Sequence, residues 1–298
     1  TPGISSAASD VYKRQRIFVT LLRLSPARIQ NRMWRWWYQK MAKKNNDSRF
    51  RFMNYGFEDG NGPTLDAADE VNRLFIQLYS MNLRGAEVED RDVLEVGSGR
   101  GGGASWIARS LAPKSVVGVD FSSEAVNLCK EWYADQDNLS FVVGNAEKLP
   151  FKDESFDLVY NVESSHCYGD MGAFIEQVHR VLRKGGTFCW TDLRDAETMS
   201  LLPEMFESRG FEIVESAIVV DEVLRALDEI NEAKIQQIAK QVPKSVRKSF
   251  ETFAGVKGTP VYEGFVNGSM TYHRHLMKKI DVNLGSRRGS EGARMKIR

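Results

Sequence analysis

The run VLEVGSGRGGG, Val93 to Gly103, constrains this chain more than any other stretch. A short apolar strand ends at Glu95-Val96, and a glycine-dense turn follows with Gly97, Gly99, Gly101, Gly102 and Gly103. Glycine admits positive φ and lets a ligand approach bare backbone. A helix is expected to open near Ala104. Strand, glycine loop and helix, in that order, are how α/β proteins seat a nucleotide-like cofactor at the carboxyl edge of a sheet.

The following residues repeat the alternation. SVVGVDF is a second strand ending in Asp120, and LSFVVGN is a third, leading into Asn145-Ala146-Glu147. FDLVYNVESS opens a fourth strand at Phe156 that ends near Asn161. Helical patterns cover Ala125 to Tyr133 and Ala173 to Leu182, the second closed by Lys184-Gly185-Gly186 as a glycine stop. Thr187 to Asp192 is a fifth strand, Leu201 to Ser208 a helix, Phe211 to Val220 a strand, and Val223 to Lys248 one long charged helix. Upstream, Tyr55 to Pro63 reads as a loop. Asp66 to Leu83 carries Val71, Leu74, Phe75 and Leu78 at helical spacing, which predicts a helix packed beside the first strand. Strands alternating with helices imply right-handed parallel crossovers and a doubly wound sheet.

Two cofactor classes suit such a loop. Dinucleotides place a pyrophosphate over the helix N-terminus. Glu95, two residues before the first glycine, would repel a pyrophosphate but suits the cationic methionyl end of S-adenosylmethionine. Asp120 stands where an acidic side chain accepts both ribose hydroxyls of either cofactor.

The motifs VLEVGSGRGGG, GVDFS, GNAEKLPF, DESFDLVYNVESSHCY and VLRKGGTF, in this order from Val93 to Arg194, resemble the class I S-adenosylmethionine-dependent methyltransferases. The similarity is strongest to a lipid-type O-methyltransferase group that includes the phthiotriolone dimycocerosate methyltransferases. It extends to WRWWYQKM (Trp34 to Met41), FMNYGFED (Phe52 to Asp59) and GVKGTPVYEGFVNGSMTY (Gly255 to Tyr272). More loosely, the chain resembles sterol and quinone methyltransferases. The resemblance implies an α/β fold, a doubly wound, mostly parallel seven-stranded sheet of Rossmann-like type, with helical cap elements at both ends. It implies S-adenosylmethionine as cofactor, no metal, and a small-molecule acceptor methylated on oxygen or sulfur. Contact with the cofactor is expected from Glu95, Gly97, Ser98, Gly99, Gly101, Asp120, Phe121, Asn145, Ala146, Glu147 and Asn161. The family usually has GDAE where this chain has Gly144-Asn145-Ala146-Glu147. Its acidic side chain accepts from the adenine amino group, and Asn145 keeps a carbonyl oxygen for that purpose.

Asn161 closes the fourth strand, either as a turn residue or as a hydrogen-bond partner of the methionyl group. His166, just past that strand, stands where acceptors bind in this fold. A histidine titrates near about 6.5 and can take a proton at working pH, so His166 is the candidate base. The other reading is a histidine that only shapes the pocket. Glu163 would orient it or touch substrate. Tyr55, Tyr168, Arg194, Tyr262 and Tyr272 are expected in the acceptor pocket by family position. His179 is read as structural or exposed, and His273 and His275 as surface residues. Alcohol and phenol acceptors need a base. A thioether such as methylthiohydroxybutyrate, the acceptor in dimethylsulfoniopropionate synthesis, has no proton to lose; as a small acid it would need an anchor such as Arg194. A lipid or quinone O-methyltransferase and a non-catalytic S-adenosylmethionine-binding regulatory module complete the alternatives.

Net charge is +1, with 42% hydrophobic and 27% charged residues, which argues against a broad nucleic-acid surface. Cys129, Cys167 and Cys189 have no metal-type spacing and read as reduced core thiols of a cytoplasmic protein. No apolar run is long enough to cross a bilayer, and a homodimer is compatible with the sequence. Residues 1–15 resemble a translated sequencing adapter, so organelle targeting stays open. Residues 16–85 are expected to form an N-terminal helical cap, 86–220 the cofactor-binding core, 221–280 the acceptor-site cap with the final sheet elements, and 281–298 a disordered tail. IFVTLLRL (Ile17 to Leu24) reads as a packed helix or a truncated signal segment. The cluster Trp34, Trp36, Trp37 and Tyr38 reads as core, as a lid over the sulfonium, or as an interfacial membrane face.

Overall fold

The computed structural model describes residues 51–280, apart from 243, 245 and 246. The adapter-like segment, the aromatic cluster at Trp34 to Tyr38 and the expected tail lie outside the described residues.

The strands are β1 (Asp92–Val96), β2 (Ser115–Asp120), β3 (Leu139–Val143), β4 (Phe156–Val162), β5 (Leu182–Asp195), β6 (Phe211–Ile218) and β7 (Met270–Lys279). The helices are α1 (Arg73–Asn82), α2 (Gly102–Ser110), α3 (Ser123–Trp132), α4 (Met171–Val181), α5 (Ala196–Glu207), α6 (Val220–Gln241), α7 (Arg247–Phe253) and α8 (Pro260–Asn267). The described strands form a seven-stranded sheet in the order β3-β2-β1-β4-β5-β7-β6. The β1–β2, β1–β4, β2–β3 and β4–β5 pairings are parallel, whereas β7 runs antiparallel to both β5 and β6. Strand order reverses between β1 and β4, and open α/β sheets bind ligands beyond the strand ends at such a point.

Successive residues of a strand point to opposite faces. Val93 and Leu158 therefore enter one apolar core with Leu78, Ile107 and Val126, while Leu94 and Val159 enter the other with Phe174, Val178 and Phe206. Both faces are covered, which is why β1 reads as nearly continuous apolar sequence.

Four local expectations are corrected. The Asp66 to Leu83 pattern becomes an α-helix only at Arg73, because Asn72 leaves helical dihedrals (φ −112°, ψ 13°). Val71 falls in a preceding 3-10 turn and is 80% exposed. Helix α4 ends at Val181 without a glycine, since Leu182 turns extended (φ −71°, ψ 139°) and pairs with Phe156. Gly185, at φ 68°, lies inside β5 beside the register shift between Phe156 and Leu158. The long charged helix is two helices, α6 ending at Gln241 and α7 beginning at Arg247. His275 is not on the surface: it is buried in β7 and stacked on Trp190, and burial pushes its imidazole down to about 4.

Candidate functional site

A cavity of about 270 Å³ opens beyond the carboxyl ends of β1, β2 and β4. Its floor is the glycine loop, where Gly97 and Gly99 adopt φ 81° and 52°. The amides of Gly97 and Ser98 both donate to the Val119 carbonyl, at 2.8 and 3.1 Å, which pins the loop to β2. A Cβ on Gly97 would lie 2.3 Å from Ser164 Oγ, so a side chain there would fill the space between loop and β4. Gly101 serves packing instead. It sits at φ 73° before α2, does not line the cavity, and a Cβ on it would lie 2.6 Å from the Phe141 ring.

Asp120, Phe121, Asn145, Ala146 and Glu147 line one side of the cavity, together with Ser98. Asp120 accepts from the Gly99 amide through Oδ2 and from the Ser122 amide through Oδ1, each at 2.8 Å. Burial raises its carboxyl above the ordinary range, against the pull of those amides. Asn145 is exposed, and its Oδ1 accepts from the Glu147 amide at 3.0 Å. Glu147 Oε1 accepts from the Gly169 amide at 2.7 Å, joining this wall to the segment after β4.

The opposite side is built from the residues that follow β4. Glu163 has φ 45°, a conformation rare outside glycine and asparagine. Its Oε1 accepts from the Tyr55 amide at 2.8 Å and from the Tyr272 hydroxyl at 2.7 Å. Burial raises the Glu163 carboxyl to about 7, opposed by these two donors. Ser165, His166 and Cys167 form one 3-10 turn. His166 Nδ1 lies 2.7 Å from Asp192 Oδ1, and the His166 amide donates to Asp192 Oδ2 at 2.9 Å. Asp192 is fully buried. Burial opposes its charge, but Arg194 and His166 hold its carboxyl well below the usual range. An ionised carboxylate only accepts, so Nδ1 carries the proton, while the Cys167 side chain is a second partner of the ring. Burial also opposes charge on the His166 ring, yet Asp192 overcomes it and holds the imidazole well above its ordinary value.

Asp192 was not among the sequence candidates. Its signal was an acidic residue inside the apolar run TFCWTDL, on a strand read only for its periodicity. Arg51, Met53, Tyr79, Ser164 and Phe253 also line the cavity without having been singled out. Cys167 is exposed and lines the cavity beside His166, not the core.

Of the other expected site residues, all but Tyr168 stand off the cavity. Glu95 faces Tyr160 and Tyr79, fully buried, and burial raises its carboxyl to about 8; it does not line the cavity. Asn161 is buried and donates to the Val96 carbonyl and to Ser164 Oγ, both at 2.7 Å. Tyr168 lines the cavity, its hydroxyl 2.9 Å from Ser164 Oγ. Tyr272 reaches the site through Glu163, and Tyr55 through Glu163 and through cavity-lining Phe253, whose carbonyl accepts from the Tyr55 hydroxyl at 2.8 Å. Tyr262 lies off the cavity, donating to Asp228 at 2.8 Å. Arg194 is turned inward: its guanidinium pairs with Asp192 Oδ2 at 3.1 Å and donates to Ser165 Oγ at 3.0 Å.

Among the described residues no His, Cys, Asp and Glu cluster suits a metal ion, and no helix is long and apolar enough to cross a membrane.

Residues 94–190 match the model of a methyltransferase domain. The chain is 34% identical over 263 residues to a phthiotriol/phenolphthiotriol dimycocerosates methyltransferase of Mycobacterium tuberculosis, covering 87% of this chain and 96% of that protein. It is 33% identical over 244 residues to a fatty-acid O-methyltransferase of Mycolicibacterium smegmatis, covering 81% and 88%. Among solved structures, a geranyl diphosphate methyltransferase in complex with S-adenosylmethionine superposes with a TM-score of 0.59 at 16% identity, covering 77% of this chain and 99% of that one; this likeness shows the shared fold. The sheet order, the glycine loop under the cavity and the near full-length similarity converge: the chain belongs to the S-adenosylmethionine-dependent methyltransferases.

Proposed function

We propose that this enzyme methylates an oxygen of a small, largely apolar, lipid-like acceptor, an alcohol or phenol, with His166 taking the acceptor proton. The observation that carries this reading is the 2.7 Å contact of His166 Nδ1 with Asp192 on a ring that lines the cavity, which leaves Nε2 as the nitrogen Asp192 does not hold. A thioether acceptor would give that nitrogen nothing to do.

The residues present fit S-adenosylmethionine. Asp120 retains acceptor capacity on both oxygens for ribose hydroxyls, beyond the amides it already holds. Asn145 and Ala146 offer neutral polar groups for adenine, and the absence of a Cβ at Gly97 keeps the cradle open. Ser98 Oγ is buried with no hydrogen-bond partner, an unspent polar group on the cavity wall. When bound, the cofactor supplies a methyl carbon on a sulfonium, whose carbon–sulfur bond breaks as the acceptor oxygen bonds that carbon. The protein orients the acceptor, excludes water and holds the released proton on His166 Nε2. Phe253, at the end of α7, lines the cavity, which supports assigning residues 221–280 to the acceptor cap.

The names of the two mycobacterial relatives, one acting on phthiotriol dimycocerosates and one on fatty acids, support a lipid-like acceptor. The small-acid thioether reading is disfavoured because the Arg194 guanidinium is engaged by Asp192 and Ser165. The test is a mass-read panel of long-chain alcohols, phenols, fatty acids and thioether acids with the purified chain. Methyl gain on hydroxyl acceptors is expected. Turnover confined to thioether acids would overturn the proposal.

A further inference from the structure

Arg51 is a cation on the cavity wall that no described carboxylate neutralises. Its position is set by backbone: the Gly102 amide, first in α2, donates to the Arg51 carbonyl at 3.2 Å. A Cβ on Gly102 would lie 2.5 Å from that carbonyl oxygen, so the contact exists because residue 102 is glycine. The guanidinium lies 5.4 Å from the centroid of the Tyr133 ring. Tyr133 in turn donates its hydroxyl to the Arg100 carbonyl at 3.1 Å, bracing the same glycine loop. Arg51 makes no ion pair with any described carboxylate, and its Nε is buried without a hydrogen-bond partner.

A buried guanidinium nitrogen without an acceptor is costly unless a ligand supplies one. Ser98, 5% exposed and in the glycine loop that floors the cavity, also has an unpartnered side-chain oxygen. The glycine-loop end of the cavity thus offers a fixed positive charge and an unspent hydroxyl. The other end, by contrast, offers Glu163, a half-buried carboxyl whose Oε1 is already engaged. Asp120 also stands at the glycine loop, bonded to the Gly99 amide, so the place for an anion is at Arg51 itself.

We propose that Arg51 binds the amino-acid carboxylate of the bound S-adenosylmethionine and so fixes the end of the cofactor remote from adenine. The proposal rests on the cofactor reading above. Arginine suits the task, since its planar fork matches a carboxylate and stays charged at any working pH. Arg51 is a positioning residue: it acts on the methyl group only by holding the group's carrier in place.

The test is calorimetric titration of the full chain and its Arg51→Gln variant with two probes. One is S-adenosylhomocysteine; the other is its decarboxylated analogue, the same thioether without the carboxylate. The variant is expected to lose about 10- to 100-fold in affinity for S-adenosylhomocysteine, the range for one charge-assisted contact, and to bind the decarboxylated analogue as the parent does. Unchanged affinity for S-adenosylhomocysteine, or an equal loss on both probes, would overturn the proposal. If Arg51→Gln binds neither probe, Arg51→Lys decides. Recovery of S-adenosylhomocysteine binding by the restored charge supports the role, and continued failure shows that the residue is only structural. A parent chain that binds neither probe removes the cofactor reading itself, an outcome distinct from all of these.

Discussion

His166 and Asp192 are joined twice, ring to carboxylate at 2.7 Å and backbone amide to carboxylate at 2.9 Å. The second bond fixes the 3-10 turn that carries the histidine, and the first fixes its ring. The carboxylate comes from β5 and the histidine from the turn after β4, so adjacent parallel strands hold the pair in register.

This pairing sets the sign of the pH dependence. Nε2 accepts a proton only when the imidazole is neutral. Asp192 raises the imidazole well above 6.5, so the rate with hydroxyl acceptors should climb as pH rises through that raised value. In Asp192→Asn the carboxylate is gone and burial is opposed only by Cys167 among the causes that raise the ring, which shifts it toward the neutral form. The acidic limb of kcat/KM should then move down by about 1 to 3 pH units, the usual reach of one adjacent charge. A pH–rate profile of both forms checks this; an unmoved limb would show that the titrating group is not His166.

Removing the ring is the direct test of its role. His166→Ala should lower turnover on a hydroxyl acceptor by at least about 100-fold. Affinity for S-adenosylhomocysteine should stay within about threefold, because the adenosyl-side contacts come from β1, β2 and the turn after β3. Turnover kept near the parent level would remove His166 from the chemistry.

The glycine loop predicts a contrast between two alanine variants. At Gly97 the added Cβ would meet Ser164 Oγ at 2.3 Å and Tyr168 Oη at 2.8 Å, with φ at 81°. At Gly60, with φ 77°, it would meet nothing within 4 Å. Both pay about 1–2 kcal/mol for a left-handed non-glycine residue, but only Gly97→Ala also blocks the cradle. It should lose at least about tenfold in S-adenosylhomocysteine affinity, whereas Gly60→Ala should show a lower melting temperature and unchanged binding. Parallel melting curves and titrations would separate them.

Asn145 offers a gain rather than a loss. Its Oδ1 already accepts from the Glu147 amide, a bond that an aspartate would keep and strengthen. Asn145→Asp should tighten S-adenosylhomocysteine by about 2- to 10-fold, an added charge-assisted bond at an exposed site. Weaker binding on competitive titration would place the adenine amino group elsewhere.

The glycine loop, Asp120 and the alternation of strands with helices from Val93 onward were legible because each depends on local chain geometry: positive φ, strand ends and period. His166 and Glu163 were legible by position after β4. What stayed hidden was long-range. Asp192 was read as the end of an apolar strand, and only the β4–β5 pairing brings it to His166. Arg194 looked like a free anchor because nothing local reveals that its guanidinium folds back onto Asp192. Tyr55 and Tyr272 were expected at the substrate, but each is tied to Glu163 from more than a hundred positions away. The same limit let Val71 pass as a buried helix residue, since a single break at Asn72 rotated it to solvent.

Strand β7 follows every other described strand in the chain, yet it sits between β5 and β6 and carries Tyr272 to Glu163. During synthesis the parallel half of the sheet, with its glycine loop, emerges first. The acceptor wall gains its last hydrogen-bond donor only when β7 slides into its slot. On the function proposed above, the side of the site that faces the molecule to be methylated is therefore completed by the last strand to leave the ribosome among those described.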